Sequence, residues 1–265
     1  MKSDYSKKKK KSKSVKTFII MANKRSGSTW LLDTMNLHPQ IKGIYEPFHD
    51  KIWGNEYRRI LKNDGVTKLY NRIMDNLISK NNPNTTVYGF KVITEDANDN
   101  TNISLALEAD CIILLERITV ESIVSCFKSE NLHKWHFYDG ETCDFNKHKI
   151  YEKWPRNLSK KIKAFRNKKM KINIQWIRRI LNDRKRRLTI LMAQIQKANK
   201  KILHISYDKL FGNKRKSMKK IYRILDVDSV FKQYSSEIKI HTNYNWVINK
   251  DEINEQLGEE FGYLS

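Results

Sequence analysis

The sequence predicts an α/β fold, a mostly parallel sheet with helices on both faces, on three observations. Strand-like apolar runs alternate with segments of helical period along the chain. Two candidate ligand motifs directly follow strands, and ligands of such sheets bind at the carboxyl ends of strands. The length of 265 residues and a hydrophobic content of 39% fit one large domain with a real core.

Residues 17–22 (TFIIMA) read as a buried strand, and 28–37 as a helix that starts at Ser28 and ends before Pro39. Residues 55–80 place Tyr57, Ile60, Leu61, Leu69, Ile73 and Leu77 at helical spacing, with a break expected at Gly65. "VYGFKVI" (87–93) and "DCIILLE" (110–116) are further strands, the second leading into a helical pattern from Thr119 to about Trp135. The stretch 136–158 looks irregular. From Ile172 to Ala198 apolar residues again recur at helical steps, then "KILHISY" makes a strand and "KRKSMKKIYRIL" a helix. The C-terminal segment ending "LGEEFGYLS" reads as polar. No internal repeat is found.

Net charge is +23, unevenly spread. Residues 1–14 hold seven lysines against Asp4, a composition that cannot order itself, so the expected organisation is a disordered basic tail followed by a single α/β domain over 15–265. Residues 156–187 hold fourteen Lys and Arg against Asp183, within a basic helical insertion expected over 156–200. Such a patch attracts any anion, nucleic acid included, or is simply a solvated helix face. There is no apolar run long enough to span a bilayer and no signal-peptide pattern, and Cys111, Cys126 and Cys143 lack metal spacing and are odd in number. A cytoplasmic protein without a metal is expected, and the formal glycosylation triplets at Asn84, Asn102 and Asn157 carry no weight.

After the first strand, the triphosphate-binding frame G-x-x-x-x-G-K-[ST] puts Ala22 at the first glycine, Gly27 at the second, Ser28 at the lysine and Thr29 at the Ser/Thr. The spacing holds but the lysine is gone. What remains is a helix N-terminus with free N–H groups, the guanidinium of Arg25, and the donors Lys24, Ser26, Ser28 and Thr29. Such a loop can hold a 5′-phosphate without being built around a magnesium triphosphate; a capped helix after a turn is the bland alternative.

"KRSGSTWLLDTMNLHPQIKGIYEP" resembles the 5′-phosphosulfate loop of sulfotransferases, most of all carbohydrate sulfotransferases and the bacterial trehalose and Nod-factor enzymes. In that family R-S-G-S-[ST] precedes an apolar helix, an H-P and a Y/F-E-P, matched here by Arg25 to Thr29, His38, Pro39, Tyr45, Glu46 and Pro47. The resemblance implies a P-loop-like fold and 3′-phosphoadenosine-5′-phosphosulfate (PAPS) as donor, leaving adenosine 3′,5′-bisphosphate (PAP). Cofactor-binding residues would be Lys24, Arg25, Ser26, Gly27, Ser28, Thr29 and Trp30.

The family's 3′-phosphate element is a strand, an arginine, and a serine eight residues on. "CIILLERITVESIVSCF" supplies Arg117 and Ser125, with Ser122 as the fallback. Ile118-Thr119 stands where many members have Asn-Pro or Asp-Pro, which departs from the turn signature. "KILHISYDKLFGNKRKSMKKIYRILDV" resembles the late strand, Y-E-D-L and helix of many members, with Tyr207, Asp208 and Leu210 matching in structural roles. The resemblance covers roughly residues 17–230.

Sulfuryl transfer needs charge stabilised on the leaving phosphate and a proton removed from the acceptor hydroxyl. The catalytic candidates are Arg25 for the first task and Glu46 for the second; pairing with Arg25 or helix capping is the structural alternative for Glu46. His133 and His136 are alternative bases, and Trp30, Trp135 and Trp154 could stack on adenine or sugar, with core packing the expectation for Trp30. The resemblance implies a hydroxyl acceptor on a carbohydrate or glycolipid, and with no RNA- or DNA-binding signature in the sequence specific nucleic-acid binding is not expected. A kinase would explain the first loop only, and a nucleic-acid-binding protein the charge only.

Overall fold

The computed structural model describes residues 15–47, 56–79, 83–132, 169–230 and 244–264. Strands β1 (Lys16–Ala22), β2 (Ile41–Ile44), β3 (Val87–Ile93), β4 (Cys111–Glu116) and β5 (Lys201–Ser206) form one parallel sheet in the order β2-β3-β1-β4-β5. The helices are α1 (Ser28–Asn36), α2 (Glu56–Ile78), α3 (Asp99–Glu108), α4 (Val120–Leu132), α5 (Ile174–Lys197), α6 (Tyr207–Gly212), α7 (Lys214–Ile224) and α8 (Lys250–Phe261).

The alternation of side chains along the central strand divides the core. Phe18, Ile20 and Ala22 pack on one face with Trp30, Leu31 and Met35 of α1 and Met218, Ile221 and Tyr222 of α7. Ile19 and Met21 pack on the other with Leu69 and Ile73 of α2, Leu105 of α3, and Leu191 and Ile195 of α5. A third cluster joins Val120 and Val124 of α4 to Ile177 and Leu181 of α5 and Ile253 and Phe261 of α8. A strand covered on both faces needs apolar residues at both alternating sets of positions, which explains the unbroken "FIIMA" run.

Strands β1, β3, β4 and β5, the first helix and the long helices fall where the sequence predicts them, and β2 adds a short fifth strand that it did not single out. The expected break at Gly65 is present: φ 85° and ψ 178° interrupt α2 there. Three helices were not legible: α3, α8 and the short α6, whose first residue Tyr207 was read as part of the preceding strand. In α3 only a short apolar face, Leu105 and Ala106, is buried, and the helix is started by Asn98, whose side chain accepts from Thr101 N–H at 2.8 Å. In α8 the segment read as polar buries Ile253, Leu257 and Phe261 at four-residue steps among charged neighbours. The irregular stretch 136–158 and the tail 1–14 lie outside the described residues.

β1 sits between β3 and β4, so the connections leaving its carboxyl end and theirs border one crevice, the switch point at which open α/β sheets bind ligands. Among the described residues no helix is long and apolar enough to cross a membrane.

The close approach of β1 and β3 allows a test of register. A Cβ at Gly89 would lie 2.1 Å from the Phe18 carbonyl oxygen and 2.5 Å from Phe18 Cγ, so backbone must move. Gly89→Ala is expected to lower stability by about 1–3 kcal/mol, read as a lower denaturant midpoint; an unchanged midpoint would contradict this packing.

Candidate functional site

The loop from Asn23 to Gly27 leaves β1 and enters α1 through two left-handed residues, Arg25 (φ 64°) and Gly27 (φ 80°). Gly27 also lacks room for a side chain: a Cβ there would lie 2.5 Å from a ring carbon of Phe211 and 3.3 Å from one of Tyr207. The helix start has no side-chain cap. Lys24 N–H instead bonds the Glu95 carboxylate at 3.2 Å, Ser26 N–H bonds the Asn23 carbonyl at 3.3 Å, and Lys24 Nζ lies 3.6 Å from Asp96. Ser26 is wholly buried, yet its hydroxyl has no hydrogen-bond partner, which is rare for a buried polar atom. Ser28 is buried beside it.

The second predicted element lies against the first. Arg25 Nε donates to Ser125 Oγ at 3.0 Å, and Arg117 Nη1 donates to the Arg25 carbonyl at 3.2 Å. Each arginine thus holds part of the other's segment. Arg117 is buried, its guanidinium stacked 3.9 Å from the Tyr207 ring centroid, with Nη2 on Glu121 at 3.1 Å and Nε without a partner. Burial pulls the Arg25 guanidinium below its ordinary pKa, with Cys126 opposing and the like charge of Arg117 adding to the fall. Burial likewise pushes the Tyr207 phenol up, against the pull of Arg117, so Tyr207 stays neutral. Trp30 packs in the core at 5.1 Å from Phe211, and Phe211 in turn lies 4.5 Å from Tyr207, so an aromatic cluster borders both arginines. Ser122, the fallback, is occupied: its hydroxyl bonds the carbonyls of Arg117 and Thr119 at 3.1 and 2.7 Å.

Glu46 follows β2 and its carboxylate meets Lys91 Nζ at 2.7 Å, so its ion-pair partner is Lys91. Lys91 also donates to Thr29 Oγ1 at 3.0 Å. This lysine, 1% exposed, was missed in the sequence, although a lysine in the middle of the apolar run "VYGFKVI" is an available signal. It rises from β3, level with Ile20 in register, and brings a cation beside the start of α1 from another strand. Tyr45 donates to Asp33, fixing the chain that presents Glu46. His38 is structural: Nδ1 accepts from Gln40 N–H at 3.2 Å, so Nε2 carries the proton and donates to the Asp228 carbonyl at 2.9 Å.

Two further residues went unrecognised, Glu95 and Arg184. Arg184 is 2% exposed and donates through Nε to Glu95 at 2.8 Å. The described part of the basic stretch is largely committed within the protein. Arg186 and Arg187 both pair with Asp99 and Asp183, Lys185 pairs with Glu260, and Arg178 bonds the Gln256 carbonyl. Its formal charge therefore overstates its pull on external anions. His133, His136, Trp135 and Trp154 lie outside the described residues. Among the described residues no group of three or more His, Cys, Asp or Glu side chains could hold a metal ion.

No protein-family model matches the chain, and no curated protein matches it. Among solved structures, the crystal structure of a sulfotransferase from Alicyclobacillus acidocaldarius is similar over 93% of this chain and 92% of its own, with a TM-score of 0.51 and 11% identity. At that identity the likeness is one of fold, and it agrees with the five-stranded parallel sheet flanked by helices described above.

The Glu46–Lys91 pair makes a quantitative expectation. Lys91→Ala is expected to cost about 3 kcal/mol, because it leaves a cavity and a half-buried carboxylate without its cation. The double variant Lys91→Met, Glu46→Gln should recover most of that loss. Strictly additive losses in a double-mutant cycle would show that the two side chains do not interact.

Proposed function

We propose that this chain transfers a sulfuryl group from PAPS to a hydroxyl acceptor. The observation that carries the proposal is the cross-linked pair of anion-ready sites at the switch point: Arg25 on Ser125, and Arg117 on the Arg25 carbonyl. Two guanidinium groups held this close repel, and bound anions would relieve them. The unpartnered Ser26 hydroxyl and Arg117 Nε are donors that a phosphate oxygen can satisfy. A donor with a 5′-phosphosulfate and a 3′-phosphate supplies an anion to each site.

The loop N–H groups and Arg25 would hold the 5′-phosphate, and Arg117 with Ser125 the 3′-phosphate. Phe211, only partly buried against Trp30 and Tyr207, offers an aromatic face suited to adenine. In the transfer, the acceptor oxygen bonds to sulfur as the bond from sulfur to the phosphate oxygen breaks. The electron pair stays on the phosphate, where Arg25, Lys91 and the positive end of α1 stabilise it. The acceptor proton passes to Glu46, whose carboxylate Lys91 holds in place.

Lys91 also speaks against a kinase. Thr29 occupies the Ser/Thr position that binds magnesium in triphosphate loops, and here its hydroxyl already accepts from the Lys91 ammonium. Two like-charged ligands for that oxygen are not compatible. For the acceptor, the likeness of the "RSGST", "HP" and "YEP" elements to carbohydrate sulfotransferases favours a sugar hydroxyl. Turnover of phenols or steroids without activity on glycans would overturn that choice.

PAP should raise the melting temperature at matched ionic strength, while ATP with magnesium should not. Equal shifts, or a shift with ATP alone, would reject the donor. Arg25→Ala and Arg117→Ala should each weaken PAP by about 1.5–3 kcal/mol in calorimetry, the worth of charge-assisted bonds.

Glu46→Gln is expected to keep PAP affinity and to lose turnover. Full activity in that variant would move the base elsewhere, with His133 and His136 the next to replace.

A further inference from the structure

Arg184 is a buried arginine with no place in the proposed chemistry, and its hydrogen bonds are distributed unusually. Nε donates to Glu95 at 2.8 Å, and Nη2 reaches Glu95 at 2.7 Å and the Lys24 carbonyl at 3.2 Å. Nη1 donates to the Arg117 carbonyl at 3.1 Å and to Ser122 Oγ at 2.9 Å. Glu95 in turn accepts the Lys24 N–H at 3.2 Å and the Thr94 hydroxyl at 3.3 Å. One side chain from α5 therefore ties together the connections that follow β1, β3 and β4. Two of these are the segments that present Arg25 and Arg117.

From this arrangement we infer that Arg184 is a positioning residue that sets the distance between the two phosphate sites, and so makes the cleft selective for an adenosine bisphosphate over a monophosphate. The inference rests on the proposed donor chemistry. A ligand with two phosphates binds as a bivalent one: once the first is held, the second gains only if its site lies at the matching distance. Arg184 touches the backbone on both sides, at Lys24 O and Arg117 O, so it fixes the separation of the segments rather than either anion. A buried ion pair with several backbone acceptors is weak evidence for stability, and specificity is the better-supported reason to keep one. A planar fork with five donors makes five contacts to three segments at once, more than the three donors of a lysine can supply.

The test measures the ratio of dissociation constants for 5′-AMP and PAP by calorimetry in the wild type, Arg184→Lys and Arg184→Met. The wild type should prefer PAP strongly. In both variants the ratio should fall by about tenfold, within the range usual for coupling between sites, while 5′-AMP binds much as before. Loss of stability alone would not change that ratio in molecules that remain folded. Equal weakening of 5′-AMP and PAP would overturn the inference, since Arg184 would then shape only the first loop. A preference for PAP that survives in both variants would overturn it too, leaving the donor proposal intact. A wild type with no preference would instead defeat the donor proposal and the inference with it. Should the Arg184 variants fail to fold, Ser122→Ala removes one of the two Arg184 bonds to the β4 side, together with the hydroxyl's own bonds to the Arg117 and Thr119 carbonyls, and keeps the Glu95 pair. Its ratio should fall by about fivefold, the lower end of that range; an unchanged ratio would overturn the inference.

Discussion

Burial of cationic charge at the carboxyl edge of the sheet is the constraint on which the rest of this structure depends. Lys91, Arg117 and Arg184 are each less than 10% exposed, and an ammonium or guanidinium removed from water must be compensated close at hand. Each has a carboxylate: Glu46 for Lys91, Glu121 for Arg117, Glu95 for Arg184. Those acids come from the segment after β2, the first turn of α4 and the turn after β3. The edge can carry these three cations only because the connections after β2, β3 and β4 each contribute a carboxylate.

The parallel sheet makes this concentration possible. All five strands end at the same edge, so their connections converge, and the helices that start there turn positive ends toward it. That field favours an anion in the crevice between β3, β1 and β4. The chemistry proposed here uses it: phosphate groups are held where positive charge is already prepared, and the leaving oxygen needs little reorganisation around it. The Lys91 ammonium stands between Thr29 at the start of α1 and Glu46, and in the proposed chemistry it would link the stabilisation of the leaving group to the placement of the base.

The large, periodic elements were legible because each buries a continuous apolar stripe or run. α3 and α8 were not, since they bury few side chains among many polar ones and owe their stability to the surfaces they pack on. At the candidate site, Arg25, Ser26 and Gly27 were legible from the loop's spacing and Arg117 and Ser125 from the family resemblance, and the structure brings Arg25, Arg117 and Ser125 into contact. Lys91, Glu95 and Arg184 lie in no motif. Lys91 gave a local signal, a charge inside an apolar strand, but nothing in the sequence said which residues it would meet. Arg184 was hidden among fourteen Lys and Arg whose charges look alike until some are buried.

By itself the sequence determined the α/β alternation, the loop after β1, the arginine and serine after β4, and the break at Gly65. The alternation, the loop and the break follow from short-range physics, side-chain period and turn chemistry, whereas the arginine and serine were picked out by the family resemblance. Only the tertiary structure decided that Lys91 would serve Thr29 and Glu46, that Trp30 would close against Phe211, and that Arg184 would join the connections after β1, β3 and β4. Those partners are far apart along the chain. They meet because parallel strands must align in register and share one edge, and which buried charge faces which carboxylate is settled by that alignment.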